Sequence, residues 1–446
     1  MEQTKMSELL MCFLVNNNCL HFTSQSTNTK KIFKMFYKQI QDADEFIKKE
    51  KDSNANFYNL KLKKISNASD IPKPSTFENQ DWYNKVDSHI DKFSYYLMTY
   101  TFQLSSKQYT IYFVLEKHGV EKNLNFEPDI RKFNKYVENM MLWLIIVNKI
   151  ASTHCSNNIH IYVFMTSLQK ELPREENSIL GPLNINTAFT YSCPKTLSEI
   201  VIYREEEWFK VFIHESIHNF NLDFSSMNVD YCYNKMRELF HINIRSALYE
   251  SYAEFWAKIM NVSIISYRII NEITEKKEPT QKMNVFLKYV DFLLNYEINY
   301  SYFQMVKVLN FNKLTYSQLY TDKTNTNNYK EDTNSFAYYV ITLLLLSNYP
   351  KFLKWCYTNN SNHNVIQFVH SDENQVRFCN YIESQYKNDR LLKNITCSEN
   401  LFQKTEEQYN EMKKSKHVKS KKHKNKMNEH LFILNNLRLS LTEMEY

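Results

Sequence analysis

One stretch constrains this fold more than any other: EIVIYREEEWFKVFIHESIHNFNLDFSS, residues 199–226. Its apolar residues Trp208, Phe209, Phe212, Ile213, Ile217, Phe220 and Leu222 recur on every side of a helix instead of along one stripe. A helix without a solvent face has to lie in the middle of a domain. Into it the chain sets His214, Glu215 and His218. Burying two imidazoles and a carboxylate there with nothing to compensate them costs several kcal/mol.

The spacing indicates what compensates them. Residues four apart lie one turn above each other on the same helix face, so His214 and His218 can reach a single ion. Neutral imidazole nitrogens suit zinc, at about 2.0–2.1 Å. Glu215 sits beside such an ion without ligating it, placed as a base that takes a proton from water. The blander reading is a helix with two core histidines bonded to nearby carbonyls and a solvated Glu215, and the apolar surroundings disfavour it. One zinc ion per chain is expected.

A catalytic zinc usually has three protein ligands and keeps a fourth position open. An HExxHxxGxxH pattern would supply a third histidine, but positions 221 and 224 are Asn221 and Phe224. The stretch RSALYESYAEFWAKIM offers Glu250 and Glu254, one helical turn apart. One can ligate while the other accepts the outward N–H of a zinc-bound histidine and so fixes its tautomer. Ala247, Ala253 and Ala257 keep that helix narrow enough to pack closely on the first. Asp223 is expected to end the motif helix or to orient a histidine.

Around this centre the order is strands first and helices after, an α+β pattern. FSYYLMTYTFQL and QYTIYFVLE read as a β-hairpin. Pro128 and Asp129 open a helix, strands are expected at 159–166, 187–191 and 199–204, and helix dominates from there to about residue 356. Residues 1–90 carry no motif, residues 91–395 hold the domain, and residues 396–446 read as a lysine-rich tail ending in a short docking helix. Only Gly119 and Gly181 occur in 446 residues. Asn and Asp are therefore expected at the positive-φ turn positions that glycine fills elsewhere.

Here the resemblance becomes specific. HExxH followed on a later helix by E-x-x-A resembles the gluzincin zinc peptidases, over about residues 184–257. NINTAFT, the motif helix and YESYAEFWA are also similar to an uncharacterised family of metallopeptidases carried by nucleocytoplasmic large DNA viruses. An AT-rich composition, heavy in Lys, Asn, Ile, Tyr and Phe, suits that origin. The resemblance implies a zincin-like domain, with a small mixed sheet before the HExxH helix and a mainly helical second half. It implies zinc-dependent hydrolysis of peptide bonds in protein or peptide substrates. By this pattern Glu250 matches the ligand glutamate and Glu254 the carboxylate behind a histidine. The spacing of the thermolysin group would instead point to Glu238, although Arg237 beside it offers an ordinary surface pair. Relatives stabilise the oxyanion with a Tyr or His, which draws attention to Tyr338 and Tyr339 as catalytic candidates. They place a substrate-binding edge strand where Asn184, Asn186, Thr187 and Ala188 stand here.

Charge and cysteines bound the alternatives. Eight lysines and no acid fall in residues 412–428, and without them the chain is slightly acidic. Residues 413–426 could hold nucleic acid non-specifically through its phosphates. The competing function is accordingly a nucleic-acid-associated or virion structural protein on an inactive peptidase fold. Eight scattered cysteines with no CxxC pair suit reduced thiols. With no signal peptide in view and the longest apolar runs, 140–147 and 336–346, too short to span a membrane, the expected location is intracellular (host cytoplasm, nucleus or virion) and not secreted.

Overall fold

The computed structural model describes residues 2–17, 20–54, 56–75, 81–117, 127–175, 178–274, 278–360, 364–414 and 421–446. In chain order the first elements are β1 (Glu2–Gln3), α1 (Lys5–Asn16), α2 (Thr27–Ser53), β2 (Tyr58–Lys64), α3 (Asp81–Phe93), β3 (Ser94–Leu104) and β4 (Lys107–Glu116). Next come α4 (Ile130–Asn148), β5 (Asn158–Met165), the short α5 (Pro182–Ile185), β6 (Ala188–Thr190) and β7 (Leu197–Ile202). The helices α6 (Trp208–Asn219), α7 (Asp230–Phe240), α8 (Leu248–Ile273), α9 (Pro279–Phe311) and α10 (Gln318–Thr321) follow. A π-helical turn (Phe336–Ile341) leads into α11 (Thr342–Ser347) and α12 (Tyr349–Asn359). The remainder is α13 (Asp372–Gln385), α14 (Asp389–Lys414), α15 (Lys421–Asn435) and β8 (Met444–Glu445).

The α+β class expected from the sequence is the class observed. Six strands form one mixed sheet in the order β2-β3-β4-β5-β7-β6. The β3–β4 hairpin is antiparallel, β4, β5 and β7 run parallel, and β6 returns antiparallel as one edge. Alternation along β5 divides the core. Ile159, Ile161, Val163 and Met165 face the large helical body, while Tyr162 and Phe164 face a smaller cluster under α3. Asp129 caps α4 by accepting the Arg131 amide, as the Pro-Asp start implied.

Three expectations need correction. Residues 396–446 are not a loose tail: Leu401 and Phe402 of α14 are buried, and after α15 the chain runs extended through the interior with Leu437, Leu439 and Leu441 buried. Arg438, Ser440 and Thr442 between and beside those leucines are buried as well, so hydrogen bonds to distant residues and the Arg438–Glu443 ion pair, not the lysine content, decide where this segment lies. Cys155 and Cys193 are joined by a disulfide, so the reduced-thiol reading fails there. Folding brings together two residues 38 apart, which spacing alone does not reveal. Third, the positive-φ residues among those described are Ser105, Ser156, Cys193, Glu207, Asn221, His241 and Lys313. Only Asn221 matches the Asn/Asp expectation, because local packing outweighs a penalty of roughly 1–2 kcal/mol per residue. Cys19, and Lys416 and Lys419 of the lysine run, lie outside the described residues.

Residues 1–90, silent in sequence, share the main core. Phe33, Phe36 and Ile40 of α2 belong to the same buried cluster as α6 and α8, and β2 forms the sheet edge opposite β6. Among the described residues no helix is long and apolar enough to cross a membrane.

Candidate metal centre

The motif helix lies where its apolar surface requires. Every residue of α6 except Phe209 is buried, and the helix packs between the β6–β7 edge and α8. It stops after Asn219 because Asn221 takes φ 56°, letting the Leu222 amide return to the Ile217 carbonyl. That left-handed cap turns the chain back, and Asp223 meets the helix it has just left.

His214 and His218 face Glu250 in the first turn of α8. The two Nε2 atoms are 3.0 Å apart, and each is 3.2 Å from Glu250 Oε2. Tetrahedral bonds of about 2.0–2.1 Å place neighbouring ligand atoms about 3.3–3.4 Å apart, close to this triangle. The outer nitrogens are already committed. His214 Nδ1 donates to Glu254 Oε2 at 3.1 Å, and His218 Nδ1 donates to Asp223. Those contacts hold both rings in the tautomer whose Nε2 lone pair points inward. Three acceptors thus converge on one point, and this buried group can hold a metal ion.

The electrostatics agree. Burial alone would lower the pKa of His218, but Glu250 and Asp223 more than offset it and raise it well above the ordinary value. His214 is raised in the same way by Glu250 and Glu254. Burial opposes ionisation of Glu250, yet the two imidazoles depress its pKa strongly. The site is built for positive charge between its members.

Glu215 is buried beside the triad, and burial raises its pKa, with the histidines partly opposing. It makes no hydrogen bond or ion pair with the described residues and lines a cleft with His214, Thr187, Ala188 and Tyr338. Tyr338 donates its hydroxyl to Glu250 Oε2 at 2.9 Å. Burial first, and then Glu250, push its pKa well up, so it remains a donor at neutral pH.

Other candidates fall elsewhere. Tyr339, the next residue of the π-helical turn, leaves on another side and donates to the Leu437 carbonyl. Glu238 is a surface residue paired with Lys235 at 3.6 Å, its side chain 70% exposed, and does not join the triad. Asn184 is used up in a turn, accepting the Gly181 amide and donating to the Glu171 carbonyl. Asn186 lines the cleft but accepts from Thr333.

Two residues at the site escaped the sequence reading. Asn334 donates to Glu250 Oε1 at 3.3 Å, a partner with no periodic signal. Lys210 binds both oxygens of Glu254 at 2.9 and 3.0 Å. It did leave a trace, as a lysine in an all-round apolar helix exactly one turn before His214. No family model matches the chain, and neither the curated proteins nor the solved structures yield a significant match.

Proposed function

We propose that this chain is a zinc-dependent peptidase of zincin-like fold and gluzincin type, hydrolysing peptide bonds in protein or peptide substrates. One observation carries the reading: two imidazole lone pairs and a carboxylate oxygen converge within 3.2 Å, each imidazole anchored from behind by its own carboxylate. His214, His218 and Glu250 would hold the ion, and Asp223 and Glu254 would fix the rings. When bound, zinc would polarise the scissile carbonyl and acidify an adjacent water. Glu215, unpaired and facing the cleft, takes a proton from that water and delivers it to the leaving amine. The Tyr338 hydroxyl would turn from Glu250 Oε2 to donate its one proton to the oxygen that gains charge in the transition state.

Substrate alignment falls to the edge of the sheet. One side of β6 pairs with β7, leaving the other side able to take an extended peptide through main-chain hydrogen bonds. Thr187, just before it, has a buried hydroxyl without a partner among the described residues. The exposed Lys413, Lys414, Lys421, Lys424 and Lys426 supply a salt-dependent attraction for polyanions such as nucleic acid. On an inactive fold that attraction would be the whole function.

Metal analysis and peptide hydrolysis separate these readings. The parent should hold about one zinc per chain and cleave peptides. His218→Ala should lose both properties. Glu215→Gln should keep zinc and lose at least about 10²-fold in kcat, since general acid–base catalysis contributes about 10²–10⁴-fold. A Glu215→Gln protein as active as the parent removes the assigned base.

A further inference from the structure

Next to the metal triad, and bordering the same cleft, lies a second buried cluster of which the chemistry above uses only Glu254. Lys170, Lys210, Lys258, Glu207, Glu254 and Glu297 have side chains at most 2% exposed, and their charges balance three against three. They form a chain of contacts. From His214 it runs to Glu254, then to Lys210, and on to Glu207 at 3.7 Å. Glu207 is shared with Lys170 at 2.9 Å and accepts the backbone amides of Leu439 and Ser440 at 2.9 and 2.6 Å. Glu297 takes the Ser440 hydroxyl and the Leu441 and Thr442 amides, and Lys258 donates to the Leu439 carbonyl. The extended segment 439–442 is therefore held by charged side chains rather than by a neighbouring strand.

Resting on the metal reading of the triad, we propose that Lys210 is a positioning residue of the metal centre, and that residues 439–442 set it through Glu207. Seating this segment and holding the metal are then coupled. The physical reason is the dryness of the cluster, where a charge that loses one partner must lean on another. If the Leu439 and Ser440 amides leave Glu207, its carboxylate turns to Lys210, the lysine it shares with Glu254. Glu254 then loses its cation, and the acceptor behind His214 Nδ1 changes. Partners of this kind alter metal affinity by about 10–100-fold. Coupling is reciprocal, so the metal must steady the segment as much as the segment steadies the metal.

The test uses the full chain and Zn²⁺ titrated directly, read by affinity and by amide hydrogen exchange. Zinc should slow exchange at residues 439–442 by about 10-fold or more, beyond any change in strand β3, which lies across the sheet. Lys210→Met should weaken zinc binding by about 10–100-fold, and Lys210→Arg should recover part of the loss. The coupling is overturned if the parent binds zinc while exchange at 439–442 stays unchanged. A folded Lys210→Met protein with parental affinity overturns it as well. Parent protein that binds no zinc removes the metal reading and the coupling together. Zinc binding with responding amides but no peptide cleavage supports the coupling and rejects only the hydrolysis.

Discussion

Glu297 and Glu250 are both buried acids near the motif helix, and their surroundings are opposite. Glu297 Oε1 accepts three donors from residues 440–442, and its other oxygen faces Lys258 at 3.5 Å. Glu250 Oε2 accepts the Tyr338 hydroxyl but otherwise faces two imidazole nitrogens whose N–H groups are aimed away. The first arrangement loads one oxygen with protein donors and, among the described residues, leaves the other with the Lys258 ammonium alone. The second gathers two imidazoles against carboxylates, and Glu250, Glu254 and Asp223 raise the pKa of both histidines against the effect of burial. What separates the two acids is what faces them: an ammonium and backbone amides in one case, two imidazole nitrogens in the other.

Substitutions can break or sharpen this contrast. Glu297→Ala should cost about 3–5 kcal/mol in denaturant unfolding, with or without zinc, because it strands Lys258 and the amides of the 439–442 segment. Glu250→Ala should instead abolish the stabilisation that zinc confers, about 2.7 kcal/mol at 100 times the dissociation constant. Equal zinc stabilisation of Glu250→Ala and parent would erase the distinction. The two adjacent tyrosines divide along the same line. Tyr338→Phe should lower kcat by about 10²-fold or more through loss of one oxyanion donor. Tyr339→Phe should leave kcat alone and cost about 1 kcal/mol, the worth of its bond to the Leu437 carbonyl.

A further effect concerns pH. Lys170 and Lys210 overcome burial and hold Glu207 down at about 2. Its contribution to stability is full above the ordinary value of 4.5 and is lost as pH falls towards about 2. Glu206 is pushed the other way, to about 7, by burial that Arg438 only partly relieves. Its contribution is full below 4.5 and fades as pH rises through about 7. Glu206→Gln should therefore flatten the fall in Tm between those two pH values. An unchanged slope would show that another group governs that range.

Much of the centre was legible because it rests on local rules. An all-round apolar helix had to be central, spacing of four put two imidazoles on one face, and Glu250 with Glu254 one turn apart could supply a ligand and a partner behind it. What stayed hidden depends on contacts distant in sequence. The acceptors and donors that hold residues 436–442 come from Lys170 and Glu207 in two loops, Lys258 of α8, and Glu297, Gln304 and Lys307 of α9. No period in the chain announces them. Tyr338 and Tyr339 were indistinguishable until their helix had a direction.

That direction comes from the π turn at Phe336–Ile341, where the Thr342 amide reaches back five residues to the Ala337 carbonyl. Such a turn carries one residue more than an α turn. Deleting that one residue would let the helix close as α with the segments on either side keeping their alignment, so the change would fall on the residues inside the turn, Tyr338 among them. The bond from Tyr338 to Glu250 would then have to be made from another place on the helix. The extra residue of the turn is thus what lets one stretch of helix serve the core through α11 and Glu250 through Tyr338.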